Sequence, residues 1–380
     1  MSERLDARAE VIKLSRVLGV PADELSYLEG LPSADLRAVR EQATNRMFDS
    51  GAAALRRVAA GAKLLPSALI ATIAQKAFGP LLCARAAGAV ESRKAIDVAK
   101  RLPPDFLADV TIELDPRRVA EIIAEVPETL VIPVAAELGR REEHVTMGRF
   151  LAFVPDHAIG AAMGVLSDEA MLRTAFVLEH KDRLDHAIGM LPPDRLGGIV
   201  RSASELQLWP EALDLLDHLS EARLVKLASM SPFHDPAVMQ DIIWAAADHG
   251  LWVDLVPLIE ALPADVRLRV VAIAAELDQE RLGNVIRDAA AAPHTLPALL
   301  AIVSEIGDEG RAPVIAAIDR AERDVAEQLV TALSDPAEIA QLRELATPDV
   351  MDAITRAAGR LGMEQVLEDA LKAAGEARAG

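Results

Sequence analysis

The sequence predicts an all-α fold, an α-solenoid of short paired helices that follows an N-terminal region of helical hairpins. Three observations carry this. Apolar residues make up 51% of the 380 residues but aromatics only 3%, so the core material is Ala, Leu, Val and Ile. Ala and Leu are strong helix formers, and the residues that favour strands are scarce. A leucine or valine, then a turn-former, then a new helix recurs along the chain. Finally, "LWPEALDLLDHLS" (208–220) and "LWVDLVPLIEALP" (251–263) align at an offset of 43.

In chain order, residues 3–18 place Leu5, Ala9, Ile12 and Val17 on one side of an amphipathic helix. "LGVPADEL" ends it at Gly19 and opens the next helix, with Pro21 in the first turn and Asp23 and Glu24 at the positive end of the dipole. "LPSADLRAVREQATNRMF" starts a further helix in the same way, so helical hairpins extend to about residue 50.

Residues 63–88, "KLLPSALIATIAQKAFGPLLCARAAG", stand apart. Only Lys63, Lys76 and Arg85 are charged there, in a chain that is 26% charged. A membrane span needs about 20 predominantly apolar residues, and Pro66, Lys76, Gly79, Pro80 and Arg85 cut this run into two pieces near 11 residues each, so no transmembrane segment is expected. Apolar residues nearly encircle both pieces. That implies burial on all sides at the junction with the repeats, or a wall for an apolar small molecule such as a lipid or isoprenoid chain. The wall would comprise Leu69, Ile70, Ile73, Phe78, Leu82 and Cys83, with Met147, Phe150 and Phe153 opposite.

From about residue 90 the helix-opening phrase takes over: "LPPDFL" at 102, "LDPRRV" at 114, "VPETLV" at 126, "VPDHAI" at 154, "LSDEAM" at 166, "LPPDRL" at 191, "LSEARL" at 219, "LPADVR" at 262, "LDQERL" at 277 and "LSDPAEI" at 333. The apolar residue closes one helix onto the core, Pro, Ser or Asp opens the next, and an acid complements its dipole. Helices of two or three turns are marginal alone and need stacking. The domain expectation is therefore an N-terminal helical region over 1–90 with the apolar helix pair at 64–90, a degenerate repeat solenoid over 91–370, and a frayed tail over 371–380.

The run "RLPPDFLADVTIELDPRRVAEIIAEVPETLVIPVAAEL" (101–138) resembles the short-helix repeats of the MgtE-type magnesium transporter's N-terminal cytosolic domain, a superhelix to which a domain of the flagellar motor switch protein is related. The resemblance spans roughly residues 100–200 and implies a superhelix of short helices and a cation-responsive regulatory role. No metal-binding residue carries over, because no position of that family's sites is matched.

A net charge of −19 argues against nucleic acid, which requires clustered Lys and Arg, and against an anionic membrane surface. The single cysteine, Cys83, and the charged start "MSERLDARAE" point to a reducing, cytoplasmic setting without a signal peptide. Cys83 has only Leu and Ala around it and reads as a core residue. In "LEHKDRLDH" (178–186), Glu179–Arg183 and Asp182–His186 read as surface pairs on a helix, not as metal ligands. His144, His157, His218, His234 and His249 read as caps near helix ends, "DHG" at 248–250 being the clearest. No phosphate loop, dinucleotide fingerprint or nucleophile elbow occurs, so neither catalysis nor a cofactor is expected. Trp209 and Trp252, at equivalent repeat positions, are candidate anchors for a protein partner or packing residues. The functional expectation is a non-catalytic scaffold for a protein partner.

Overall fold

The computed structural model describes residues 2–49, 55, 57, 59–61, 64–230, 235–292, 295, 299–300, 303–304, 308–321, 323–332, 346–365, 367–369 and 372. Among these, all regular secondary structure is helical. The "LSDPAEI" phrase at 333, His234 and the tail from 373 lie outside the described residues. The chain divides into two compact units, Ser2–Ile199 and Val200–Gly380, so the expected boundary near residue 90 falls inside the first unit.

The first unit begins with α1 (Ser2–Leu18) packed against α2 (Ser33–Asp49). It continues through α3 (Ser67–Ala87), α4 (Ser92–Ala99), α5 (Pro104–Glu113), α6 (Ala120–Ala124) and α7 (Glu128–Arg140). α8 (His144–Phe150), α9 (Asp156–Met163), α10 (Asp168–Phe176) and α11 (Leu184–Gly189) complete it. Helices here pack on their second neighbours: α3 on α5, α5 on α7 and α7 on α9, with α4 on α6 and α8 on α10. α1 also lies against α8, and its Ala9 joins Phe176 and Val177 in one apolar cluster, so the N-terminal hairpin packs on the region of short helices.

α12 (Pro193–Glu205), α13 (Trp209–Asp214), α14 (Glu221–Ala228), α15 (Pro236–His249), α16 (Trp252–Ala261), α17 (Ala264–Ala275) and α18 (Gln279–Ala291) follow. After them come α19 (Asp308–Arg320), α20 (Arg323–Ala332) and α21 (Pro348–Leu361). The 43-residue offset seen in two sequence runs is here the spacing of whole helices: α12, α15 and α18 start at 193, 236 and 279, α13 and α16 at 209 and 252, α14 and α17 at 221 and 264. The repeating unit is thus three helices. In the second unit, second neighbours again pack: α13, α15, α17, α19 and α21 in one series, α14, α16, α18 and α20 in the other.

Two local devices build this pattern. In every described copy of the helix-opening phrase, a helix or 3-10 turn starts two residues after the leucine or valine. Asp115, Ser167 and Asp278 cap these ends through their side chains, whereas in "VPETLV" and "VPDHAI" the proline itself occupies the cap position. The second device ends the longer helices. Gly19, Glu142, Gln207, Gly250 and Gly362 take φ of 69°, 57°, 55°, 68° and 70°. The next residue's N–H then bonds back five positions: Val20 to Ser15, Glu143 to Leu138, Leu208 to Ala203, Leu251 to Ala246 and Met363 to Ala358, at 2.8–3.1 Å. This is the Schellman closure, which satisfies orphan carbonyls and turns the chain sharply into the next helix.

Candidate functional site

α3 is where the structure departs most from expectation. Its α-helical turns from Ser67 to Ile73 widen into a π-turn over Ala74–Phe78, and Gly79 takes φ 72° and ψ 173°, a conformation open to glycine alone, before Pro80 restarts the helix. The Cys83 thiol donates to the Ala74 carbonyl at 3.7 Å across this break. Partial burial pushes that thiol up to about 11, which keeps it protonated and unreactive at neutral pH.

Neither expected environment of α3 holds. Its buried residues are Ala71, Ala74 and Ala84. The large apolar side chains point outward instead, with Leu69 45%, Phe78 38%, Leu81 44% and Leu82 43% exposed. A helix buried on all sides would hide its leucines, and a wall of an enclosed pocket would screen them from water. Small residues face inward here because the neighbouring short helices approach closely: α3 lies on α4 through its first turns and on α5 through its last. Ile70, Ile73 and Cys83 are half-buried at the edge of this contact. The remaining members of the supposed wall attach elsewhere. Met147 and Phe150, both half-buried, lie on α8, which packs on α7, α10 and α1, and the Phe153 ring meets His180 edge-on at 6.1 Å.

The net charge conceals a second property of this region. Between Ser50 and Leu102 the sequence carries nine basic and two acidic residues, net +7, so the rest of the chain carries −26. Acidic residues are absent from 50 to 90 altogether. Lys76 is exposed among the outward apolar residues, and Lys94 donates to the Leu65 carbonyl at 2.7 Å. The signal was available in the sequence but disappears when charge is summed over the whole chain.

The tryptophans also sort differently. Trp209 and Trp252 are each only 3% exposed, so neither anchors a partner in this structure; both fill the interior at the start of α13 and α16. Trp244, which sequence reasoning passed over, is the accessible one at 37%. The Arg281 guanidinium stacks on its ring at 4.9 Å and is gripped by Asp248 at 2.7 and 3.0 Å and by Asp278 at 2.9 Å. Val225 and Leu268, 43 residues apart on α14 and α17, are 50% and 52% exposed, the same surface position in successive repeats.

"LEHKDRLDH" is not one helix. Lys181–Arg183 form a 3-10 turn before α11, so the expected i,i+4 pairs do not form. Glu179 takes Arg40 at 2.6 Å, and Arg183 and His186 both reach Asp156, at 3.4 and 2.9 Å. Among the described residues no three His, Cys, Asp or Glu side chains are placed to hold a metal ion. His249 ends α15 with Gly250 following, as "DHG" predicts, while His144 and His157 start helices rather than finish them.

Sequence reasoning also missed a buried ionic cluster. Glu10, 1% exposed, receives Lys13 at 2.6 Å, Arg40 at 3.0 Å and Arg37 at 3.1 Å, and Arg40 continues to Glu179. Burial raises the Glu10 carboxyl, but Lys13 and Arg40 outweigh it and hold it below its ordinary range. The cluster ties α1 and α2 to the loop after α10, which is an architectural role.

The chain matches no family model and no curated protein.

Proposed function

We propose that this chain is a non-catalytic helical-repeat scaffold that binds a protein partner. The observation that carries it is the register of the second unit, where helices recur at 43 residues and pack on second neighbours. Such arrays are quasi-one-dimensional: each repeat contacts its neighbours, and equivalent outward positions line up into an extended binding surface. The likeness of residues 101–138 to the superhelical repeats of the MgtE-type cytosolic domain points the same way for the first unit. Trp244 stacked under Arg281 is the anchor of this surface, since an aromatic ring and an arginine held rigid by carboxylates combine contact area with little entropy to lose. The strongly shifted groups fit packing better than catalysis: burial is the leading cause that raises Asp254 to about 7, Asp288 to about 6 and Cys83 to about 11.

The test is affinity isolation from the source cells with wild-type chain and with Trp244→Ala. A partner recovered in fixed proportion by wild type should bind the variant about 30-fold more weakly, as expected for an anchor worth ~2 kcal/mol, with an unchanged far-UV spectrum. A partner held equally by both proteins moves the binding surface away from Trp244, and failure to recover any stoichiometric partner counts against the scaffold reading.

A further inference from the structure

We infer that the outward face of α3 is a docking surface for an anionic lipid bilayer, on which the helix lies parallel to the membrane plane. Three independent observations converge on it. The helix is turned inside out, with Ala71, Ala74 and Ala84 against the protein and Leu69, Phe78, Leu81 and Leu82 toward the outside. Leu64, 88% exposed, extends the same apolar run. Exposed apolar area of this extent on one element calls for an apolar neighbour.

The charge around it selects the neighbour. Every charged residue from 50 to 90 is basic, while the rest of the chain beyond Leu102 and before Ser50 carries −26. An apolar helix whose only charges are Lys76 and Arg85 is attracted to phosphatidylserine-like headgroups, and the acidic remainder is repelled once it comes within about a Debye length, ~10 Å, of them. The two effects together orient the protein with α3 against the lipid. Lys76, exposed within the apolar face, reaches the headgroup level by extending its stem along the neighbouring side chains.

The break at Gly79 selects the mode. By length and composition Ser67–Ala87 is sufficient to cross a membrane, but at its middle the Gly79 N–H reaches back to the Ala74 carbonyl in a π-turn and Pro80 has no N–H to continue the ladder. Lipid does not tolerate unpaired backbone at the bilayer centre, whereas water at the interface satisfies it. One flank of α3 is already occupied by α4 and α5, and the large apolar side chains stand exposed on the rest of it. This inference does not depend on the surface around Trp244.

The experiment is co-sedimentation of the full chain with vesicles of phosphatidylcholine alone and of phosphatidylcholine mixed with phosphatidylserine. Binding to the mixed vesicles, weakened by about tenfold or more in Leu81→Ser/Leu82→Ser and about fivefold in Lys76→Gln, is the expected result, with Val225→Ser/Leu268→Ser unaffected. Absence of binding by the folded protein overturns the inference, as does equal binding to both vesicle types or binding that survives the α3 substitutions. If Leu81→Ser/Leu82→Ser fails to fold, Lys76→Gln and its salt dependence carry the comparison. Self-association that α3 substitution abolishes, without vesicle binding, assigns the face to a second copy and also overturns the inference.

Discussion

Asp254 is the residue whose protonation the fold controls most visibly. It is 3% exposed on α16, hydrogen-bonds the Asp217 carboxyl and has Asp214 nearby. Burial and these two acids raise it to about 7 from an ordinary value of 3.8. Between those values the folded chain holds a proton that the unfolded chain releases, so this group's contribution to stability falls as pH rises through the interval and stays low above it. Asp254→Asn is therefore expected to be more stabilising, or less destabilising, at pH 8 than at pH 5 when urea unfolding is compared with wild type. A difference that is the same at both pH values would show that the carboxyl is not protonated in the fold. Gln207 and Gly250 make another residue-scale contrast. They occupy the same left-handed position in successive repeats, and only the second carries the glycine that announces such a turn in a sequence. The first was invisible because a non-glycine residue pays that strain there.

At the scale of elements, what was legible follows from local chemistry. Among the described residues, the helix-opening phrase located eight of the eighteen helices from α4 to α21, since caps and proline act on their own few residues and the other helices open without that phrase. The three-helix repeat was legible in one pair of aligned runs, 208–220 and 251–263, because elsewhere equivalence is kept in helix position and neighbour contact more than in residue identity. The direction a helix faces was not legible. α3 is apolar around its circumference, so periodicity could not show that its alanines, and not its leucines, meet the protein. In α1 the charges are inside as well: Glu10 and Lys13 sit in the interior, where Arg40 from α2 completes the pairing. Removing one partner of such a cluster strands the others. Glu10→Ala is expected to destabilise the fold by about 3–5 kcal/mol in denaturant unfolding, whereas Glu137→Ala, which removes the shared partner of Arg140 and Arg141 at the surface, should cost much less. Similar losses at both sites would contradict the ranking.

At the scale of the whole molecule, charge is segregated along the chain. The segment from Ser50 to Leu102 is basic and gathers Leu64, Leu69, Phe78, Leu81 and Leu82 on its exposed side, while the rest of the chain is acidic and exposes large apolar side chains at scattered positions such as Tyr27, Val39, Val225, Trp244 and Leu268. The membrane proposal rests on this segregation and on one inverted helix, while the scaffold proposal rests on the repeat register and an anchored aromatic. The inversion itself can be read without any ligand, by comparing the unfolding of Leu82→Ala with that of Ala84→Leu. Leu82 faces outward, so its truncation should cost under about 1 kcal/mol, while enlarging the buried Ala84 should force α3 from its neighbours and cost about 1–3 kcal/mol or more. The opposite order, a costly Leu82→Ala beside a neutral Ala84→Leu, would mean that α3 packs by its leucines and that no apolar face is left for a membrane.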